Sequence, residues 1–287
     1  MAMANLETTL ARGLGVLERD APPRLAAALR HAVFPGGARI RPRLCQAVAA
    51  AAENDDPNLV DAAACALEFL HCASLVHDDL PCFDDAPTRR GRPSVHHVFG
   101  APLAVLVGDA LIIGAFDAVA RACVASPVRL PQLILILTRA AGAPSGLVAG
   151  QAWESEPKVP LERYHRAKTS SMFVASAMAG AAAAGRDPEP WRQMGELLGE
   201  AYQVADDLLD AHAIDDLAGK PTRQDRRLDR PSAVAEYGTQ GAIAKLRALV
   251  SRAAAAVPSC PGADMLRGLV VEMAERLVPP ALRRTAA

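Results

Sequence analysis

Two aspartate-rich runs, Asp78-Asp79-Leu80-Pro81-Cys82-Phe83-Asp84 and Asp206-Asp207-Leu208-Leu209-Asp210, lie inside strongly apolar sequence, so any fold must reconcile helical burial with closely packed carboxylates. At an effective dielectric of about 20, two unit charges ~4 Å apart repel by roughly 4 kcal/mol, whereas a helical i,i+4 ion pair returns only ~0.2–0.5 kcal/mol. Local salt bridges therefore cannot hold such clusters once water is withdrawn. On an open surface the repulsion falls to about 1 kcal/mol and a solvated acidic face would suffice, so the flanking sequence decides. It favours burial: residues 59 to 77 are apolar almost all round, broken by Asp61, Glu68, His71 and Ser74 before the closing His77, as in a central helix.

Pro81 lacks a backbone donor and is expected to end or distort that helix, letting Asp84 turn back towards Asp78. Asp206 and Asp210 are four residues apart on one helical face, with Gln203 a turn earlier on the same side. Oxygen ligands without accompanying His-Cys pairs suit magnesium, which keeps waters and joins a few carboxylates to a substrate's phosphates. A diphosphate is the natural bridge between the two runs.

Alanine and leucine pervade the chain, valine and isoleucine never alternate regularly, and prolines fall between long apolar-periodic segments, which predicts an all-α protein. Candidate helices are 5 to 19, 22 to 33, 40 to 53, 59 to 80, 101 to 123, 130 to 141, 161 to 184, 189 to 213, 231 to 256 and 262 to 278. The run from Thr169 to Gly185 is uncharged but rich in Ala, Ser and Gly and shorter than a typical membrane span, so it reads as a tightly packed internal helix. With 287 residues, 51% of them hydrophobic, and no linker-like stretch, residues 1–287 form a single domain.

Opposite charges nearly cancel, 31 basic against 32 acidic, so no global field points to nucleic acid or anionic lipid. The six cysteines show no CxxC spacing and the N-terminal stretch carries Glu7, Arg12, Glu18 and Arg19 in place of an unbroken apolar core. A reduced, cytoplasmic protein without stable membrane insertion is expected.

Arg89-Arg90-Gly91, Lys168-Thr169, Lys220 and Arg230 supply phosphate-binding residue types. Arginine offers a planar fork and lysine a mobile point charge, so together they suit more than one diphosphate. Each alone matches ordinary helix surface equally well.

In order and spacing these pieces resemble the trans-prenyltransferases, the polyprenyl diphosphate synthase family. His71-Cys72-Ala73-Ser74-Leu75-Val76-His77-Asp78-Asp79-Leu80-Pro81 with Asp84 and Arg89-Arg90-Gly91 is similar to the first aspartate motif in its bacterial form. Tyr202-Gln203-Val204-Ala205 leading into Asp206 to Asp210 is similar to the second. Gly36-Gly37-Ala38-Arg39-Ile40-Arg41-Pro42, Gly150-Gln151, Lys168-Thr169 and Gly219-Lys220 follow in family order, covering about residues 30 to 235. Pro35 to Pro42, Gly150 to Glu156 and Pro258 to Gly262 most resemble geranylgeranyl diphosphate synthases of carotenoid pathways in purple phototrophic bacteria.

The resemblance implies the isoprenoid synthase fold, a bundle of about ten or more helices around a deep central cavity, and a homodimer. It implies that Asp78 and Asp84 hold magnesium from one wall and Asp206 and Asp210 from the other, assisted by Asp79 and Asp207, with manganese (Mn2+) a substitute for Mg2+. Arg89, Lys168, Lys220 and Arg230 would grip the allylic diphosphate, and Arg41, His71 and Arg90 the isopentenyl diphosphate. Lys168, Thr169 and Gln203 would act at the reacting carbon. The implied reaction ionises the allylic C–O bond, adds the isopentenyl double bond to the cation and loses a proton to the departing pyrophosphate. Cationic side chains and magnesium stabilise the leaving group while an apolar cavity excludes water.

This chain departs from the family in Ala38, where a lysine contacts isopentenyl diphosphate, and in Arg230, where lysine is usual. One charge-assisted hydrogen bond is worth ~1.5–3 kcal/mol, so the loss at Ala38 weakens binding without abolishing it if Arg41, His71 and Arg90 remain. Product length is expected to depend on Ala73 and Ser74, five and four residues before Asp78, with Phe69, Leu70 or Phe116 forming a floor. Farnesyl synthases of bacteria place a bulky aromatic where Ala73 stands, so a geranylgeranyl product is favoured over farnesyl.

Other readings are weaker. A class I terpene cyclase would replace the second aspartate motif with an Asn/Ser/Glu pattern, a His77-Asp78 phosphohydrolase would leave Asp206 to Asp210 unexplained, and a non-catalytic regulatory subunit has only Ala38 in its favour. His96, His97, Trp153, Trp191, Asp109, Glu154 and Glu156 are read as structural or peripheral and stay outside the site.

Overall fold

The computed structural model describes residues 6–34, 36–158, 161–211 and 232–275, and these are helical almost throughout. Helices α1 (Leu6–Glu18), α2 (Pro23–Val33), α3 (Ile40–Ala51) and α4 (Pro57–Asp78) come first. A two-stranded hairpin, β1 (Thr88–Arg89) with β2 (Arg92–Pro93), leads to α5 (Val95–Phe99), α6 (Ala101–Ala122), α7 (Leu130–Ala141) and α8 (Leu147–Trp153). Next are α9 (Leu161–His165), a π-helical turn over Arg166–Ser170, α10 (Ser171–Ala183) and α11 (Arg192–Ala211). Helices α12 (Ala233–Ala255) and α13 (Ala263–Glu275) complete the described chain.

Helix α4 is the axis. Asp56 caps its first turn, its side chain accepting from the Leu59 amide at 3.1 Å, and Pro57 sits where a missing N–H costs nothing. Its polar interruptions are all paired: Asp61 accepts from Thr9 and Gln46, Glu68 meets Arg39, and the Ser74 hydroxyl donates to the His71 carbonyl. The helix ends at Asp78, two residues earlier than periodicity suggests, because Pro81 cannot donate and the Leu80 amide instead closes a tighter turn on the His77 carbonyl.

The Ala-rich α10 is the internal helix its composition predicts, buried along nearly its whole length and packed on α3, α4, α7 and α11. Helices α4 and α6 are long and apolar enough to cross a membrane by length and composition alone. The first is mostly buried within the protein, while α6 leaves Val105, Leu106 and Ile113 42–69% exposed on one side.

Three features escape the periodicity. The hairpin forms because Arg90 and Gly91 both adopt positive φ, 54° and 73°, as a two-residue type I′ turn demands. The segment before α10 widens into a π turn, and α12 is bent where Gly238 adopts φ 66°, ψ 169°.

Candidate active site

The end of α4 folds back on itself. The Asp84 amide donates to the Asp78 carbonyl at 3.0 Å and the Ala86 amide to the Asp79 carbonyl at 3.2 Å, so the loop after Pro81 returns the second carboxylate to the first. Asp78, Asp84 and Glu154 each offer an oxygen within 4.8 Å of the others. Three carboxylates at that spacing fit a hard divalent cation, which is the chemistry magnesium needs.

Glu154, expected to be peripheral, is therefore central, and Glu156 alone of the pair is exposed. It follows α8 directly, and α8 reaches the site because Gly150 lies against the Lys168 backbone, where a Cβ would sit 2.6 Å from the Lys168 Cα. Glu154 accepts from Lys168 Nζ at 2.5 Å and from the Tyr164 hydroxyl at 2.6 Å. Gln151 donates to Asp78 at 2.8 Å and to Glu154 at 3.3 Å, tying the carboxylates together. Burial alone would lower the Lys168 pKa, but the negative charges of Asp78 and Glu154 outweigh it and hold the ammonium protonated. The signal for Glu154 was in the sequence: it stands three residues after Gln151, on the same helical face.

Asp79 faces elsewhere. It is buried and takes two hydrogen bonds from the Arg89 guanidinium, one at 2.9 Å from Nε, while Arg89 also lies 3.7 Å from Asp78. Burial pushes the Asp79 carboxyl above its ordinary value, with Arg89 pulling the other way. Asp79 thus positions Arg89 beside the cluster.

On the neighbouring face of α4 the residues assigned to isopentenyl diphosphate meet. Arg41 and Arg90 each approach His71 Nε2 at 3.4 Å. Two guanidiniums leave Nε2 only the acceptor role, so the imidazole carries its hydrogen on Nδ1. Arg41 is stacked over the rings of Phe173 and Tyr202, 5.0 and 5.5 Å from their centroids, and its Nε is buried with no hydrogen-bond partner. Arg90 reaches this group because Gly37 has no side chain; a Cβ there would lie 3.0 Å from the Arg90 Nε.

Burial, then the charges of Arg41, Arg90, Arg89 and Arg39, drive the His71 pKa well below 6.5. The folded protein therefore binds fewer protons than the unfolded chain below about pH 6.5. This contribution to stability is present above that pH and declines as pH falls towards the folded value. Urea midpoints measured between pH 5 and 7 should fall with acid more steeply in the parent than in His71→Asn; parallel curves would contradict a neutral, cation-flanked imidazole.

On α11 the second motif divides its work. Gln203, expected on the same side of the helix as Asp206 and Asp210, donates from its amide to Asp207 at 3.0 Å and accepts with its carbonyl from the Thr169 hydroxyl at 2.9 Å. Asp207 is buried and also accepts from the Ala233 amide at 2.7 Å. Asp206 is partly exposed on the same helix. Lys220, Arg230 and the side chain of Asp210 lie outside the described residues.

Of the residues expected to set product length, Ala73, Phe69 and Leu70 are buried, whereas Ser74 and Phe116 are partly exposed. Phe69 points towards α1, where a Cβ on Gly13 would lie 3.5 Å from its ring.

An all-α bundle that gathers carboxylates at the end of its central helix, with a lysine and paired arginines around them, has the architecture of the isoprenoid synthases. The sequence matches the family described as polyprenyl synthetase over residues 22–261. It is 51% identical over 276 residues to a geranylgeranyl diphosphate synthase of Cereibacter sphaeroides, covering 96% of this chain and 95% of that protein. It is 49% identical over 259 residues to one of Rhodobacter capsulatus, covering 90% of each. In structure it is similar to a geranyltransferase of Helicobacter pylori complexed with magnesium and isoprenyl diphosphate, with a TM-score of 0.79, 28% identity and coverage of 96% and 97% of the two chains. This chain belongs to the polyprenyl synthetase family and is a prenyltransferase.

Proposed function

We propose that this protein condenses isopentenyl diphosphate with an allylic diphosphate (dimethylallyl, geranyl or farnesyl) and releases mainly geranylgeranyl diphosphate for carotenoid and other isoprenoid synthesis. The observation that carries this reading is the Asp78, Asp84 and Glu154 cluster beside Lys168, with Arg41, His71 and Arg90 gathered one face away. Magnesium bound there, with manganese as a substitute, supplies positive charge to the leaving diphosphate.

The protein's own groups do the rest. Asp78, Asp84 and Glu154 hold the metal from α4 and α8, and Asp206 and Asp210 from α11. Lys168, Arg89, Lys220 and Arg230 bind the allylic diphosphate. Arg41 and Arg90, gathered at His71, bind the second diphosphate through their guanidiniums, and this set compensates for Ala38. Thr169 lies at the reacting carbon, with Gln203 holding it from behind. Residues 1–287 form one domain that works in the cytoplasm as a homodimer. The exposed Val105, Leu106 and Ile113 of α6 support pairing, since they form an apolar stripe that a second copy would cover.

Incubating the purified protein with magnesium, isopentenyl diphosphate and farnesyl diphosphate should yield geranylgeranyl diphosphate. No elongated product would end the proposal, and accumulation of farnesyl diphosphate from shorter primers would favour a farnesyl synthase. Ala73→Tyr should shift products towards farnesyl diphosphate, read by chromatography of the dephosphorylated alcohols. An unchanged product length in a folded variant would remove Ala73 from length control.

A further inference from the structure

We infer that Asp207 is a positioning residue that fixes the direction of a hydrogen-bond relay through Gln203, so that Thr169 turns its oxygen lone pairs, and not its hydrogen, towards the reacting carbon. The inference rests on the prenyl-transfer reading above. Its warrant is donor and acceptor counting along a chain of described contacts. The Ala233 amide can only donate, and it donates to Asp207 Oδ2 at 2.7 Å. An ionised carboxylate can only accept, so its other oxygen, Oδ1, must receive a hydrogen from Gln203, whose Nε2 stands 3.0 Å away. That settles which end of the Gln203 amide faces which neighbour. Its Oε1 is then left for Thr169, at 2.9 Å from Oγ1, and an amide oxygen accepts. The Thr169 hydroxyl therefore has its one hydrogen committed to Gln203.

The surroundings keep the relay taut. Thr169 lies in the π turn, partly exposed and next to Lys168, whose ammonium is in the carboxylate cluster. Helix α11 approaches that turn closely because Gly199 faces Ser170, where a Cβ would come within 2.5 Å of the Ser170 Cα. Ala233 is the first residue of α12, so its amide belongs to the unsatisfied first turn of a helix and benefits from an anionic acceptor. A hydroxyl oxygen whose hydrogen is held elsewhere presents the negative end of its dipole, which favours a developing carbocation. A hydroxyl hydrogen pointing the same way would oppose it. Asp207 thus acts on the reacting carbon through two intervening side chains, and not as a ligand of magnesium.

The test inverts the relay and then restores it. In Asp207→Asn the side-chain oxygen must still receive the Ala233 amide, which leaves the new NH2 facing Gln203. The Gln203 amide has to turn over, and its NH2 then donates to Thr169 and forces the hydroxyl hydrogen outward. In the exchange variant Asp207→Asn/Gln203→Glu the glutamate accepts from both Asn and Thr169, so the original direction returns with the same total charge. The expected result is a kcat lowered about tenfold to a hundredfold in Asp207→Asn, with KM for both substrates and the half-saturating magnesium concentration unchanged, and a kcat largely recovered in the exchange variant. Thermal midpoints within a few degrees of the parent should accompany both, since Ala233 keeps its acceptor.

A wild-type kcat in Asp207→Asn, a raised magnesium requirement, or a folded exchange variant no faster than Asp207→Asn would overturn the inference. If Asp207→Asn alone does not fold, the folded exchange variant decides against the parent: near-parental kcat supports the relay and a low one overturns it. If the exchange variant fails to fold while Asp207→Asn folds, restoring the direction has not restored the protein and the relay is overturned; failure of both to fold makes Asp207 a folding residue and overturns it too. The parent's own activity is measured in the same series, so an inactive parent indicts the proposed reaction and an active parent with non-conforming variants indicts the relay alone.

Discussion

Asp78→Ala should lower kcat by about three orders of magnitude at saturating magnesium while leaving the thermal midpoint of the magnesium-free protein unchanged or slightly raised. Each factor of ten in rate corresponds to about 1.4 kcal/mol of barrier, and metal-assisted charge stabilisation supplies several kcal/mol. Asp78 contributes more than one ligand atom. It accepts from Gln151, lies 3.5 Å from Lys168 Nζ and 3.7 Å from Arg89, so its loss also frees two cations to collapse onto the remaining carboxylates. Stability should not suffer, because Asp78, Asp84 and Glu154 repel one another within 4.8 Å and removing one relieves that repulsion. Steady-state elongation of farnesyl diphosphate at saturating magnesium, with a melting curve of the same preparation in chelator, checks both halves. A rate within tenfold of the parent would separate this cluster from the chemistry.

Glu68→Ala should cost the fold about 3–5 kcal/mol, the range for stripping one partner from a buried ion pair. The side chains of Glu68 and Arg39 are each only 2% exposed, and Arg39 keeps just the half-exposed Glu7 and the Val33 carbonyl once Glu68 is gone. Arg39 is also the residue before α3, held at φ 53°, and it directs the chain from Gly37 to Arg41. Loss of its anchor should therefore loosen Arg41 and raise KM for isopentenyl diphosphate more than for the allylic partner. Arg39→Met/Glu68→Met should recover most of the lost stability, because a paired apolar replacement leaves no unpartnered charge behind. Urea unfolding of the three proteins measures the difference, and a Glu68→Ala midpoint equal to the parent's would contradict the burial argument.

The helices were legible because their apolar faces repeat locally, and the return of Asp84 to Asp78 was legible because a proline has few options. The convergence of Arg41, His71 and Arg90 came from resemblance, and the three side chains do meet. What stayed hidden depends on contacts between residues distant in sequence. Glu154 shares a helical face with Gln151, but its place beside Asp78 and Asp84 also depends on Gly150 admitting α8 against the Lys168 backbone, a contact that a local pattern does not carry. The resemblance grouped Asp207 with Asp206 at the metal, yet consecutive helical residues point about 100° apart, and Asp207 turns towards Ala233. The hairpin was hidden because Arg90, unlike Gly91, gives no hint that it adopts a positive φ.

The π turn between α9 and α10 has a consequence for anyone recombining this chain with its relatives. A π turn carries one residue beyond the α-helical count, so the strand of helix before Arg166 is indexed about 100° away from where an unbroken helix would leave it. Deleting a single residue there would restore a regular ladder and swing the Lys168 ammonium or the whole of α9 off its present bearing. Crossover points belong on either side of Arg166–Ser170 and never within it, since the surplus residue is what sets the phase between the two halves.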